Sequence, residues 1–251
     1  MTSSSQDGHL NSSIRQGCQL ILFTRSRGHS METAAVFIIR SRQMARKITA
    51  LKEQKRNPSR VNIFLDGEFA FSLARILAAW LEIGQELTEE RIHELLDQDA
   101  IESAYQLGLR LIGYRMRTST EIEKHLHKKG IPAQVIASVQ ERLKQSGLVN
   151  DDRFARNWIE NRSEFRPRSH RLLTWELRQK GLDETLIQQA IAEATPEEDL
   201  AYRAGLKALR KYRQLEWEDF QRKITGFLAR RGFSFEVIKP AVKRLWKERN
   251  E

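Results

Sequence analysis

Apolar and polar residues alternate along Val61, Ile63 and Leu65, and again along Phe69, Phe71 and Leu73. A period of two lines up side chains on one face of a strand. Asp66-Gly67 between the two runs is a strong turn signal, so the segment predicts a β-hairpin whose apolar side chains share a face. Two strands alone are marginally stable, and Ile48–Gln54 can supply a third. Residues 74–104 read as a helix, Gly84, and a second helix. Thr88 caps that second helix, Glu89 and Glu90 occupy its first turn, and Ile92, Leu95 and Leu96 form its apolar face. The remainder follows a helical period to the end.

The helical part repeats itself. Gly130, Gly181 and Gly232 are spaced by 51 residues, as are Leu126, Leu177 and Leu228, and Ile136, Ile187 and Ile238. Ile122, Leu173 and Ile224 fall in the same register, and so do Leu107, Trp158 and Leu209. The repeat predicts a three-helix unit present three times. Glycine after the second helix suits a left-handed C′ residue, and Pro132, Asp183 and Ser234 are helix-start residues. Thr118 with Glu121 predicts a capping box, and Asn150 with Asp151 caps the next unit. A unit this small buries little by itself, so neighbours are expected to stack. Unit three departs at Leu215–Phe220, and Pro240 lies inside its last helix.

The expected fold class is mainly α: three tandem three-helix repeats forming an elongated curved array, preceded by a small β-hairpin or three-stranded sheet plus helices. The expected divisions are a poorly ordered extension (1–43), a β-α head (44–104) and repeats at 105–149, 150–198 and 199–251. The leader is polar at first and then patchy, with no sustained period. It reads as a targeting peptide or as sequence upstream of a true start at Met44; the second reading is preferred because organised sequence begins there.

Composition narrows the function. The 251 residues carry a formal charge of +10. Residues 61–104 hold ten acidic and two basic side chains, whereas 105–251 hold 30 basic and 20 acidic. The helical units therefore attract polyanions, unless the charge is simply a solvated surface. A single thiol, Cys18, excludes a disulfide framework and a thiolate zinc site. No apolar run approaches the ~20 residues of a membrane span. Walker A, dinucleotide-loop and nucleophile-elbow motifs are all missing from the sequence. Asp151-Asp152 and Glu197-Glu198-Asp199 resemble nuclease carboxylates, but helix capping accounts for them better. No enzyme, metal or cofactor is expected.

The basic residues recur with the repeat. Unit one offers Arg115, Arg117, Lys128 and Lys129 as candidate contacts; unit two offers Arg166, Arg168, Arg171, Arg178 and Lys180. Unit three offers Arg210, Lys211, Arg213, Arg230 and Arg231. Stacked units are expected to line them along one edge, facing an extended polyanion. Trp158, Trp175, Trp217 and Trp246 serve either as core or as base-stacking platforms.

Three stretches carry a resemblance. They are Lys47-Ile48-Thr49 with Arg60 to Phe69, Gly147 to Ala155 with Trp158 and Ile159, and Glu176-Leu177-Arg178-Gln179-Lys180-Gly181. With the triplicated unit, they make residues 44–251 resemble the RecX family of bacterial recombinase regulators. That resemblance implies a cytoplasmic, non-enzymatic protein acting on the RecA filament and its single-stranded DNA. It also implies restraint of ATP hydrolysis, strand exchange and filament growth, and so regulation of recombination, repair and the SOS response. We expect a monomer without membrane contact. The alternative is a direct helix-turn-helix-like DNA binder, since three-helix units can read duplex DNA.

Overall fold

The computed structural model describes residues 45–250; the expectations for 1–43, Cys18 and Met44 lie outside the described residues. Strands β1 (Arg46–Gln54), β2 (Asn57–Leu65), β3 (Glu68–Ala74) and β4 (Glu86–Leu87) form an antiparallel sheet in the order β3-β2-β1-β4. The hairpin turn is made by Asp66 (φ 52°) and Gly67 (φ 90°). Positive φ at both central residues matches the twist of the flanking strands. Asp66 also accepts hydrogen bonds from Lys47 N–H (3.0 Å) and Arg46 Nε (3.1 Å), which pin the turn to β1.

Ile48, Ile63, Leu65 and Leu73 are fully buried on the inner face. Phe69 is not on that face. A register shift between Ile63 and Phe64 gives β3 an extra residue, pairing Phe69 with Phe64. Such an insertion reverses side-chain parity, so Phe69 is 58% exposed and meets Phe64 edge-on, with ring centroids 6.0 Å apart. The helix expected near 74 is the single turn α1 (Arg75–Ala78).

The next helix, α2 (Glu89–Tyr114), runs unbroken through residue 104 from the head into the first repeat. Thr88 caps it by accepting Arg91 N–H (3.3 Å), while Ile92 and Leu95 are buried and Leu96 is exposed. One buried carboxylate ties helix to sheet. Asp99 accepts Ala74 N–H (2.6 Å) and Arg60 Nη2 (2.7 Å); Arg60 also reaches Ser72 O (2.8 Å) and Ser103 Oγ (3.0 Å).

The first repeat is completed by α3 (Ser119–Lys128) and α4 (Ala133–Gln145). The second consists of α5 (Asp151–Phe165), α6 (His170–Gln179) and α7 (Glu184–Ala192). The third consists of α8 (Glu197–Tyr212), α9 (Trp217–Ala229) and α10 (Phe235–Asn250), with α10 continuing through Pro240. Gly130, Gly181 and Gly232, just beyond the ends of α3, α6 and α9, all have φ between 76° and 89°, the left-handed region open to glycine.

Stacking is not what gives a repeat its core. The head and the three repeats each hold a separate cluster of buried side chains. Ile122, Leu126, Ile136, Val139 and Leu143 anchor the first repeat, and Phe154, Ile159, Leu173, Leu177 and Ile187 the second. Leu200, Phe220, Ile224, Leu228 and Leu245 anchor the third. Trp217 and Trp246 pack edge-on inside the third unit (5.1 Å), and Trp158 stacks on Phe154 (5.7 Å). Trp175 is 56% exposed.

Candidate functional site

The repeats meet through polar groups at two related joints. At the first, Thr118 is wholly buried and does two things. Its hydroxyl caps α3 by accepting Glu121 N–H (3.1 Å) and donates to the Lys180 carbonyl of the second repeat (2.8 Å). Thr120 Oγ1 donates to Gly181 O (2.7 Å), and Asp151 Oδ1 accepts Ser119 N–H (2.9 Å). The capping box is therefore half formed, because the Glu121 carboxylate does not turn back to its own helix start. It accepts both Arg115 terminal nitrogens and Lys180 Nζ (2.9 Å each), with Arg117 at 3.9 Å.

The second joint repeats the first, 51 residues on. Ser169 stands where Thr118 stands; it is wholly buried, its hydroxyl accepts Leu172 N–H (3.2 Å), and its N–H donates to Arg231 O (3.0 Å). Lys207 Nζ adds a hydrogen bond to Glu164 O. In the third repeat the corresponding position is Phe220, fully buried in that unit's core. Helix α9 begins a turn earlier than its counterparts, so the docking hydroxyl is replaced by core packing.

Beside the second joint lies a cluster of guanidinium groups. Glu176, 7% exposed, accepts Trp158 Nε1 (2.8 Å) and Arg162 Nε (3.1 Å) and pairs with Arg168. Arg162 also lies over the Trp158 ring (4.2 Å), and Arg231 over Phe227 (3.8 Å). Burial, then the charges of Arg162 and Arg166, hold Arg168 below the usual arginine range. Arg231 is lowered in the same way by burial and by Arg168, Arg230 and Arg166.

The structure divides the candidate cations into two groups. Arg115, Arg117 and Lys180 are engaged by Glu121, Arg168 by Glu176, and Arg178 by Glu184 (2.7 and 2.8 Å). Lys211 lies against Tyr212 (5.7 Å). By contrast, Lys128, Lys129, Arg166, Arg171, Arg210, Arg213 and Arg230 are exposed, with no ion-pair partner among the described residues. On α6, Arg171 and the exposed Trp175 are one turn apart on one face. Asp151 serves the first joint and Asp152 pairs with Arg156 (3.1 Å).

Four family models match in chain order: the regulatory protein RecX N-terminal domain at 46–88, then the first, second and third RecX three-helix domains at 104–143, 150–191 and 196–242. Regulatory protein RecX of Bacillus subtilis is 34% identical over 208 residues, covering 81% of this chain and 79% of the relative. The chain belongs to the RecX family. The RecX protein of Lacticaseibacillus paracasei is 32% identical over 200 residues, 78% of this chain and 83% of its own length. A crystal structure of regulatory protein RecX superposes with a TM-score of 0.62 at 30% identity, covering 78% of this chain and 99% of that one. RecX from Lactobacillus salivarius, at 23% identity and a TM-score of 0.52, shares the fold over 59% of this chain and 97% of its own. The RecX domains thus bracket the joints: Thr118 and Glu121 lie in the first three-helix match, Lys180 and Gly181 in the second, and Arg231 and Gly232 in the third.

Periodicity located the cations but not the acids that absorb them. The signal was available in the register itself, which sets Glu121 against Leu172 and Glu176 against His125. Glu121 also makes the first joint sensitive to acid. Burial opposes its ionisation, but hydrogen bonds from Arg115 and Lys180 outweigh that and bring the carboxyl from 4.5 down to about 2. A carboxyl lowered by folding stabilises the fold above its unfolded value and loses that effect as pH falls toward its folded value. The difference in unfolding midpoint between the wild type and Glu121→Gln should therefore be largest above pH 4.5 and close by about pH 2. A difference constant across that window would remove Glu121 from the account of the joint.

Proposed function

We propose that this RecX-family chain is a non-enzymatic regulator that binds RecA filaments on single-stranded DNA and restrains them. In this reading it lowers recombinase ATPase, strand exchange and filament growth, and so regulates recombination, repair and the SOS response. It acts as a monomer in the cytoplasm, where such filaments form. The observation that carries the reading is the set of exposed cations without acidic partners, Lys128, Lys129, Arg166, Arg171, Arg210, Arg213 and Arg230, distributed over all three repeats of a RecX-family protein. Serial units can engage successive parts of a periodic partner, and their cations suit its phosphates.

The test is the single-stranded-DNA-dependent ATPase of the cognate RecA. Saturating, folded protein should slow hydrolysis, and an unchanged rate would refute the proposal. A mobility-shift titration with duplex and single-stranded DNA separates the competing reading. Tight, sequence-preferring duplex binding without recombinase would favour a helix-turn-helix reader.

A further inference from the structure

The two joints are internal controls for one another. At the first, three cations, Arg115, Arg117 and Lys180, face one carboxylate, Glu121, while Asp151 accepts the Ser119 N–H beside them. Moving 51 residues along replaces those cations by Arg166, Arg168 and Arg231, so the positive charge is kept. The acids are not kept: Glu121 becomes Leu172, and Asp151 becomes Tyr202. Two further guanidinium groups, Arg162 and Arg230, join the second cluster, with Glu176 as the acid described there. Arg166 and Arg230 have no acidic partner among the described residues. The same turn carbonyl is engaged in both places, since Thr118 and Ser169 are equivalent buried caps that donate to it, Thr118 through its hydroxyl and Ser169 through its N–H.

We propose that the second joint is a phosphate-oxyanion site, in which the ligand takes the part that Glu121 plays at the first, and that occupancy clamps the second and third repeats together. The chemistry favours phosphate over an isolated carboxylate. Planar guanidinium forks bind phosphate oxygens in pairs, and the first joint's Lys180 is replaced here by Arg231. The anion is either free phosphate or a backbone phosphate of single-stranded polynucleotide. The Arg171–Trp175 face of the same helix suits the second source, because an exposed indole stacks on bases without regard to sequence. This inference goes beyond the filament reading and its test omits recombinase, so either can fail without the other.

The experiment is amide hydrogen exchange on the full chain at fixed ionic strength. Its additions are inorganic phosphate, a short oligothymidylate, or polyglutamate. Phosphate or oligothymidylate should slow exchange around Ser169 and Gly232 and leave Thr118–Thr120 unchanged. Protection by oligothymidylate where inorganic phosphate has no effect identifies the backbone as the source; protection by inorganic phosphate alone identifies the free ion. Leu172→Glu supplies the missing acid from within and should weaken the response by about 10-fold or more. Glu121→Leu should create a phosphate response at the first joint. If Leu172→Glu does not fold, Arg166→Gln at an exposed position tests the same loss. No slowing with either phosphate source, an undiminished response in the variants, or stronger protection by polyglutamate would each overturn the proposal.

Discussion

Alanine at Gly181 or Gly232 is expected to destabilise the chain by about 2–5 kcal/mol, against about 1–2 for alanine at Gly130. All three glycines have positive φ, so each substitution incurs the left-handed strain of an L-residue. Only two of them also sit in a joint. A Cβ at Gly181 would lie 2.6 Å from Thr120 Cβ, and that threonine is held in place by its hydrogen bond to Gly181 O. A Cβ at Gly232 would overlap Ser169 Oγ and press on Leu172 Cβ at 3.2 Å. At Gly130 there is nothing within 4 Å. Denaturant unfolding, with hydrogen exchange to locate the loss, should show the excess at the joints. Equal effects at all three positions would mean that the glycines serve only as helix ends.

Charge reversal should separate three neighbouring arginines. Arg166→Glu with Arg171→Glu should weaken filament binding by about 10–100-fold and lower its salt dependence by about one unit per cation. Because both are exposed and without acidic partners among the described residues, stability should stay within about 0.5 kcal/mol of wild type. Arg168→Glu should act differently. It sets a carboxylate against the buried Glu176 and is expected to destabilise the second repeat by about 3 kcal/mol. Affinity and unfolding midpoints measured on the two variants decide the matter. Unchanged affinity in the double variant would place the contact on another face.

Most of the fold was legible because periodicity reports which face of an element is buried. The alternating run through Val61, Ile63 and Leu65, the Asp66-Gly67 turn and the 51-residue register all correspond to observed structure. The errors arise where one residue changes parity or where the deciding partner is distant. An extra residue in β3 moves Phe69 to the other face, and nothing in its own alternation announces that. By its spacing Thr118 is a local cap, yet its hydroxyl also serves Lys180, 62 positions away. Glu121 fits a capping box by spacing, but three cations assembled by the fold outbid its own helix terminus. The small size of one unit suggests that the repeats depend on stacking for a core, whereas small residues such as Ala201, Ala204 and Ala208 let three helices close on each other within a unit.

Separate cores also determine where the molecule yields. Rotating one repeat on the next strains a few hydrogen bonds, each worth about 1 kcal/mol net and replaceable by water. Bending within a repeat would open a close-packed interior, where a single lost side chain costs about 2–5 kcal/mol. Deformation therefore concentrates at Thr118–Lys180 and Ser169–Arg231, and the units move as stiff links. A chain hinged in this way can change its curvature from link to link without disturbing the interior of any one of them.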